Sequence, residues 1–342
     1  VHIPDNYLSP ETCAVMGAVM VPVLAVSVKK VKEEISKARM PQLGIGAAFV
    51  FLIMMFNIPV PGGTSVHVTG AVLLAALLGP YSAVICLTTA LLLQALLFGD
   101  GGILALGANT FNMAFVMPFV GYFVYKLIRG RMRSEKGALV GLAIGSYVGL
   151  NVSVLFTSLE LGLQPLLFHT AAGQPLYCPY PLSITLPAML IPHLTVAGIA
   201  EALFTVAVFS FIKRVSPGMV FEGEQESRGT GPVMGLVVAL VCLSPLGLLA
   251  TGAAWGEWGA GEISEVVTDG EALGFVPLGM QEGFQFEALL PDYSFSGLPE
   301  VAGYILSAVI GAALLVIVFR IVASLVRDKS AKNGAHNATQ SE

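Results

Sequence analysis

Residues 68 to 98 read VTGAVLLAALLGPYSAVICLTTALLLQALLF, a block of 31 residues without a single charged side chain. About 20 apolar residues suffice to carry a helix across a bilayer core of roughly 30 Å. The block is therefore too long for one span, and Gly79-Pro80 within it is a turn signal. Cutting there leaves a first half of about 12 residues, too short for an ordinary crossing. Irregular backbone is tolerated at membrane depth where protein buries it, so the preceding loop, Pro61 to His67, is expected to dip below the surface. Outward from this block lie further apolar stretches at 43 to 60, 103 to 125, 137 to 159, 187 to 212, 232 to 251 and 301 to 322, with one more ahead of Lys29. Of the 342 residues 55% are apolar and 11% charged, against about 25% charged in ordinary soluble domains. A water-soluble fold is excluded. The expectation is an all-α, polytopic membrane helix bundle with nine spans.

Loops rich in Lys and Arg stay on the cytoplasmic side. All 17 basic residues fall into four groups: 29 to 39, 126 to 136, Lys213 with Arg214 and Arg228, and Arg320, Arg327, Lys329 and Lys332. Placing all four inside puts the N-terminus outside and the C-terminus in the cytoplasm, and it demands an even number of crossings between the first two groups. The split block supplies that parity. Asp5 and Glu11 precede the first helix and the basic run follows it, the reverse of a cleaved signal peptide. Cys13, Cys86, Cys178 and Cys242 have neither zinc-site nor disulfide-framework spacing. The chain divides into a seven-helix module at 1 to 214, a cytoplasmic linker at 215 to 231 carrying Glu222, Glu224 and Glu226, and a module at 232 to 342 whose two helices flank an outer loop, 252 to 300.

The sequence begins Val1-His2. A free terminal amine, the amide nitrogen of residue 2 and the His2 imidazole can close two chelate rings on one ion, with three nitrogens in a plane. Imidazole suits nickel and copper, and His67, at the end of the Gly62-Gly63 loop on the same outer side, is a candidate fourth donor. The competing reading makes each histidine an interfacial residue with satisfied hydrogen bonds. Polar residues inside a membrane are costly, which singles out Gln94, Asp100, Asn109 and Asn112 near the outer helix ends. They either orient the imidazoles or bond helix to helix. His193 and Glu201 form a proton relay, a second metal site or a tie between helices, and His169 and His193 are the next ligands to consider. The outer loop carries Glu257, Glu262, Glu265, Asp269, Glu271, Glu282, Glu287, Asp292 and Glu300 and no basic residue. Such a face concentrates divalent cations, or it is a solvated loop that docks on the first module.

Three segments, HIPDNYLSP at 2 to 10, GGTSVHVTG at 62 to 70 and QALLFGDGGILALGANTFNMA at 94 to 114, resemble the CbiM/NikM family, the substrate-capture subunits of cobalt and nickel energy-coupling-factor transporters. The likeness covers the first 214 residues. The remainder resembles the accessory subunit of these systems, CbiN/NikN with its PDGLE-type domain, here fused in one chain. The resemblance implies that nickel(II) or cobalt(II) is the transported ion rather than a cofactor, and that its ligands are Val1 through its amine, His2 and His67. Family members begin with Met, so Val1 is read either as an alternative start or as the residue left after Met removal. Also implied are an inner-membrane location, an association with cobalamin biosynthesis, a membrane scaffold subunit of CbiQ/NikQ type and cytoplasmic ATPases of CbiO/NikO type. The chain has no GxxxxGK[ST] loop of its own. A nucleic-acid partner and an enzymatic role are not expected; no HExxH occurs. The alternative is a proton-coupled divalent-metal permease running through His193 and Glu201.

Overall fold

A computed structural model describes residues 2–35, 39–60, 64–221, 231–250, 254–268 and 271–325. Val1, Lys37, Gly62 and Gly63, most of the linker with Arg228, Asp269, and Arg327, Lys329 and Lys332 of the C-terminal basic group lie outside the described residues.

Among the described residues seven helices are long and apolar enough to cross a membrane: α1 Pro10–Glu34, α4 Pro80–Phe98, α5 Leu106–Met132, α6 Glu135–Leu167, α7 Leu182–Val215, α8 Gly231–Leu249 and α9 Glu300–Leu325. The chain is a multi-pass membrane protein. Two shorter helices, α2 Met40–Met54 and α3 Ala71–Leu78, stand where the sequence reading expected two further spans. The stretch 43 to 60 is not one helix. It stops at Met54, and residues 57 to 60 turn instead into strand β1 (Asn57–Val60), paired antiparallel with β2 (Thr64–His67) so that Asn57 faces His67. Pro59 has no N–H to donate to a helix, and Ile58 and Val60 suit a strand.

The 31-residue block breaks where the turn signal stands. Gly79 holds φ 91° and ψ 153°, which no other residue adopts without strain, and Pro80 opens α4 in the first helical position it favours. Every residue of α3 is buried. At 1.5 Å per residue α3 spans only about 12 Å, so it is a plug within the bundle, reached through the β1–β2 hairpin.

Close backbone approach holds the helices together, as is usual where lipid supplies no hydrophobic drive. A Cβ at Gly145 would sit 2.5 Å from the carbonyl oxygen of Gly121, which locks α5 against α6. Gly311 of α9 lies against the Phe51 ring of α2, so the last helix packs on the central one. The segment after α8 folds back over the end of the bundle that carries residues 2 to 9 through a small hairpin, β3 (Val267–Thr268) with β4 (Glu271–Ala272), and a single turn at Leu278–Gln281. Under it Ile3, Tyr7 and Leu8 join Tyr180, Ile263 and Met280 in a second apolar core.

Candidate metal centre

The segment ahead of α1 is pinned almost residue by residue. Asn109 clasps Ile3 from both sides, its Oδ1 accepting from the Ile3 N–H at 2.8 Å and its Nδ2 donating to the Ile3 carbonyl at 3.0 Å. The Asp5 carboxylate accepts from the N–H groups of Ile103 (2.9 Å) and Leu104 (2.7 Å), which lead into α5. Asn6 exchanges two hydrogen bonds with the backbone of Phe284, and the Tyr7 hydroxyl donates to the Trp258 carbonyl at 2.9 Å. Gln164 Oε1 accepts from the N–H of Ser9, whose hydroxyl caps α1.

This anchoring fixes His2 at one wall of a cavity of about 620 Å³ that is also lined by His67, Asp100, Glu257, Asp292 and Glu300. His2 and His67 are both buried and their rings stack, centroids 5.0 Å apart and planes inclined by 23°. His2 Nδ1 lies 2.9 Å from Asp100 Oδ1, and the His2 backbone N–H donates to Glu257 Oε1 at 3.1 Å. His2 Nε2 is buried without a hydrogen-bond partner. Tyr293 donates its hydroxyl to the second oxygen of Asp100, and Gln94 Nε2 donates to both at 3.1 Å. Asp292 and Tyr293 carry φ of 52° and 58°, a left-handed backbone that costs non-glycine residues about 1–3 kcal/mol and brings that hydroxyl to Asp100.

Burial favours neutral groups, and it holds the His67 imidazole well below the usual histidine range, so its ring offers a lone pair rather than a charge. Burial likewise raises the Glu257 carboxyl. At Asp100 burial pushes upward too, but the adjacent His2 ring and the hydrogen bonds from His2 and Tyr293 outweigh it and hold the carboxyl below its ordinary value.

An ion bound to the amide nitrogen of residue 2 and to its own imidazole closes a six-membered ring only through Nδ1. In this structure Asp100 takes up Nδ1 and Glu257 accepts the amide hydrogen. Two carboxyl groups thus lie at the amide and the Nδ1 of His2, the two atoms through which such a ring would close. Among the described residues no three His, Cys, Asp or Glu side chains form a group that could hold a metal ion.

The structure brings His2, His67, Gln94, Asp100 and Asn109 together. Asn112 stands apart, its Nδ2 donating to Glu160 Oε2 at 2.7 Å between α5 and α6. His169 is at the surface with Nδ1 3.0 Å from the Thr170 carbonyl oxygen, and His193 Nδ1 lies 2.7 Å from that of Met189. Glu201 binds the backbone just after His67. Gln94, Asn112 and His193 each fall in a π turn of its helix, Gln94–Phe98, Thr110–Val116 and His193–Ala197; such turns are frequent at functional sites. Sequence reasoning missed Asp5 and Tyr293. Asp5 stands three residues after His2 in a loop that must be tied down, which is a usable signal; Tyr293 has none nearby.

The sequence model of the family described as cobalt uptake substrate-specific transmembrane region (CbiM) matches residues 2–219, and that of the PDGLE domain matches residues 232–328. This chain belongs to the CbiM family. CbiM-family relatives that share both regions include the probable fused nickel transport protein LarMN of Lactiplantibacillus plantarum, 52% identical over 93% of this chain and 96% of that protein. The fused nickel transport protein NikMN of Rhodobacter capsulatus is 44% identical over 92% and 95%. Two crystal structures of transition metal transporters, one of them truncated, are 58% and 59% identical with TM-scores of 0.59 and 0.60, each over 63% of this chain and over 99% and 93% of their own. Members are transport proteins, and this chain is one of them rather than an enzyme.

Proposed function

We propose that this chain captures nickel or cobalt ions on the outer face of the cell's inner membrane, as the substrate-binding subunit of an energy-coupling-factor importer. The ion is held by the amine of residue 1, the amide and imidazole nitrogens of residue 2, and His67. The observation that carries this reading is the stacking of His2 and His67 at 5.0 Å in a buried, acid-lined cavity, from positions far apart in the chain. Four nitrogen donors around one ion favour a planar site, and nickel binds such donors more tightly than cobalt. The names of the two fused relatives point the same way. The chain lacks an ATP-binding loop, so a scaffold of CbiQ/NikQ type and ATPases of CbiO/NikO type supply the energy. The basic clusters place the N-terminus and the loop 252 to 300 outside and the C-terminus in the cytoplasm.

A residue added before Val1 turns the terminal amine into a peptide amide and moves the new amine out of the chelate ring. An N-terminal extension is therefore expected to abolish high-affinity nickel and cobalt binding in calorimetry, whereas a C-terminal tag leaves it intact. Because the amide of residue 2 sheds its proton on binding, titrations in buffers of differing ionisation enthalpy should show about one proton or more released. Equal affinity in the two tagged proteins would refute the terminal-amine site.

A further inference from the structure

We propose that Glu201 is a positioning residue for the metal loop, acting through the backbone that follows His67. This rests on His67 being a ligand. Glu201 lies on α7, is fully buried, and its carboxylate reaches across to the turn between β2 and α3. The N–H of Thr69 donates to Oε2 at 2.7 Å and the N–H of Gly70 donates to Oε1 at 3.0 Å, while the Thr69 hydroxyl lies 3.4 Å from both oxygens. Gly70 is the residue before α3, in the left-handed region at φ 69°, and it supplies no side-chain cap.

The first N–H groups of a helix have no partner within it, and they carry the positive end of the helix dipole. A carboxylate there is favourable, and in most helices it comes from the chain just before the helix. Here it comes from another helix, 132 residues away in sequence. A buried carboxylate is costly unless it is fully hydrogen-bonded, so the turn and the carboxylate hold each other in place. Only Val68 separates the clasped Thr69 from His67.

The same helix grips the loop a second time. Its π turn, His193–Ala197, ends four residues before Glu201, and His193 shares a small cavity with Ser65 and Val66 of β2. Gly198 directly after it lets α7 approach the Tyr147 ring, which a Cβ would meet at 2.8 Å. One helix thus touches the His67 strand before and after the imidazole. Its other end, with Lys213 and Arg214, is the basic end. A displacement of α7 therefore moves His67 relative to His2, whose holding residues lie on other elements.

The test uses the full chain with a free N-terminus and nickel(II) as probe. Glu201→Gln is expected to weaken nickel binding about 10- to 100-fold, the range for groups that orient a ligand, and to shift the visible absorption band of the ion that remains bound. Glu201→Ala should weaken it further. Thr205→Val, which alters a buried side chain one turn further along the same helix whose hydroxyl makes no hydrogen bond, should leave affinity and spectrum unchanged. Unaltered affinity and spectrum in Glu201→Gln would overturn the proposal, as would an equal loss in Thr205→Val. In the wild-type protein, hydrogen exchange of the peptide spanning 66 to 72 should be strongly protected before metal is added; fast exchange there would also overturn it. If His67→Ala binds nickel as the wild type does, the metal-site reading itself fails. If His67→Ala loses binding and Glu201→Gln does not, only the clasp fails.

Discussion

His2 and His67 face each other in one cavity but are built in opposite ways. His67 ends a two-stranded hairpin and leads into a buried plug helix, so its backbone is set by the membrane-embedded core. His2 sits on an extended segment without secondary structure, and everything that fixes it is borrowed. Glu257 takes its amide hydrogen and Asp100 its ring nitrogen, Asn109 holds its neighbour, and Tyr293 steadies Asp100 from the far end of the chain. One imidazole thus rests on a hairpin and a plug helix clasped from α7, all between residues 57 and 201, the other on side chains drawn from both ends of the chain. The lesson is that a buried imidazole can be placed by secondary structure with a single long-range clasp or by many long-range hydrogen bonds, and the second kind is exposed to damage at more positions.

The sharpest way to break the comparison is Asp100→Asn. Asp100 competes with an ion for Nδ1, yet its charge also attracts that ion. At about 5 Å with an effective dielectric near 20, a unit pair is worth about 3 kcal/mol, and a divalent ion doubles it. A hydrogen bond to a charged group is worth about 1.5–3 kcal/mol. Attraction wins on these magnitudes, so Asp100→Asn should bind nickel at least about tenfold more weakly in calorimetry. Tighter binding would recast Asp100 as a competitor. Tyr293→Phe is the next step down. It removes one hydrogen bond to Asp100 and leaves the ring stacked on Phe98 at 4.5 Å. That bond to a charged group is worth about 1.5–3 kcal/mol, and because it acts on the ion only through Asp100 a few-fold loss of affinity and a small fall in melting temperature are expected. A Tyr293→Phe protein with unchanged affinity and melting would show that Asp100 needs no help from the second module. The smallest effect at equilibrium is expected at the cavity rim. Neutralising Asp292 and Glu300 together should slow nickel association at low ionic strength and matter little at high salt, because a diffuse field acts on encounter and is screened. Stopped-flow traces that show no change at low salt would remove the rim from the account.

Most of the helical frame was legible in the sequence because long uncharged runs leave few alternatives, and Gly79-Pro80 marked the break in the middle block. The hairpin was not. Ile58-Pro59-Val60 continues an apolar run, and hydropathy does not distinguish a strand buried in protein from the end of a helix. At the site, His2 and His67 could be named from donor chemistry together with family resemblance, and Gln94, Asp100 and Asn109 from the cost of polar groups in a membrane. The same argument put Asn112 beside them, whereas its partner is Glu160 on the neighbouring helix. Tyr293 and the partner of Glu201 were out of reach for a different reason. Their contacts join residues 193 and 132 positions apart, and neither stretch carries any local mark of the other.

The pinning of residues 2 to 7 also fixes an order of assembly. Glu257, Trp258 and Phe284, which grip residues 2, 7 and 6, are synthesised long after them; Glu257 follows His2 by 255 positions. At synthesis rates of about 5–20 residues per second, roughly 13 to 50 seconds pass before the grip on His2 can form. During that interval only the earlier anchors, Asp100, Ile103, Leu104, Asn109 and Gln164, can hold the segment, and the cavity around His2 is completed only when the loop that carries Glu257 has been laid over it. A ribosome stalled before residue 257 should therefore leave a partial bundle, without its last helix, in which the His2 amide lacks its carboxylate acceptor.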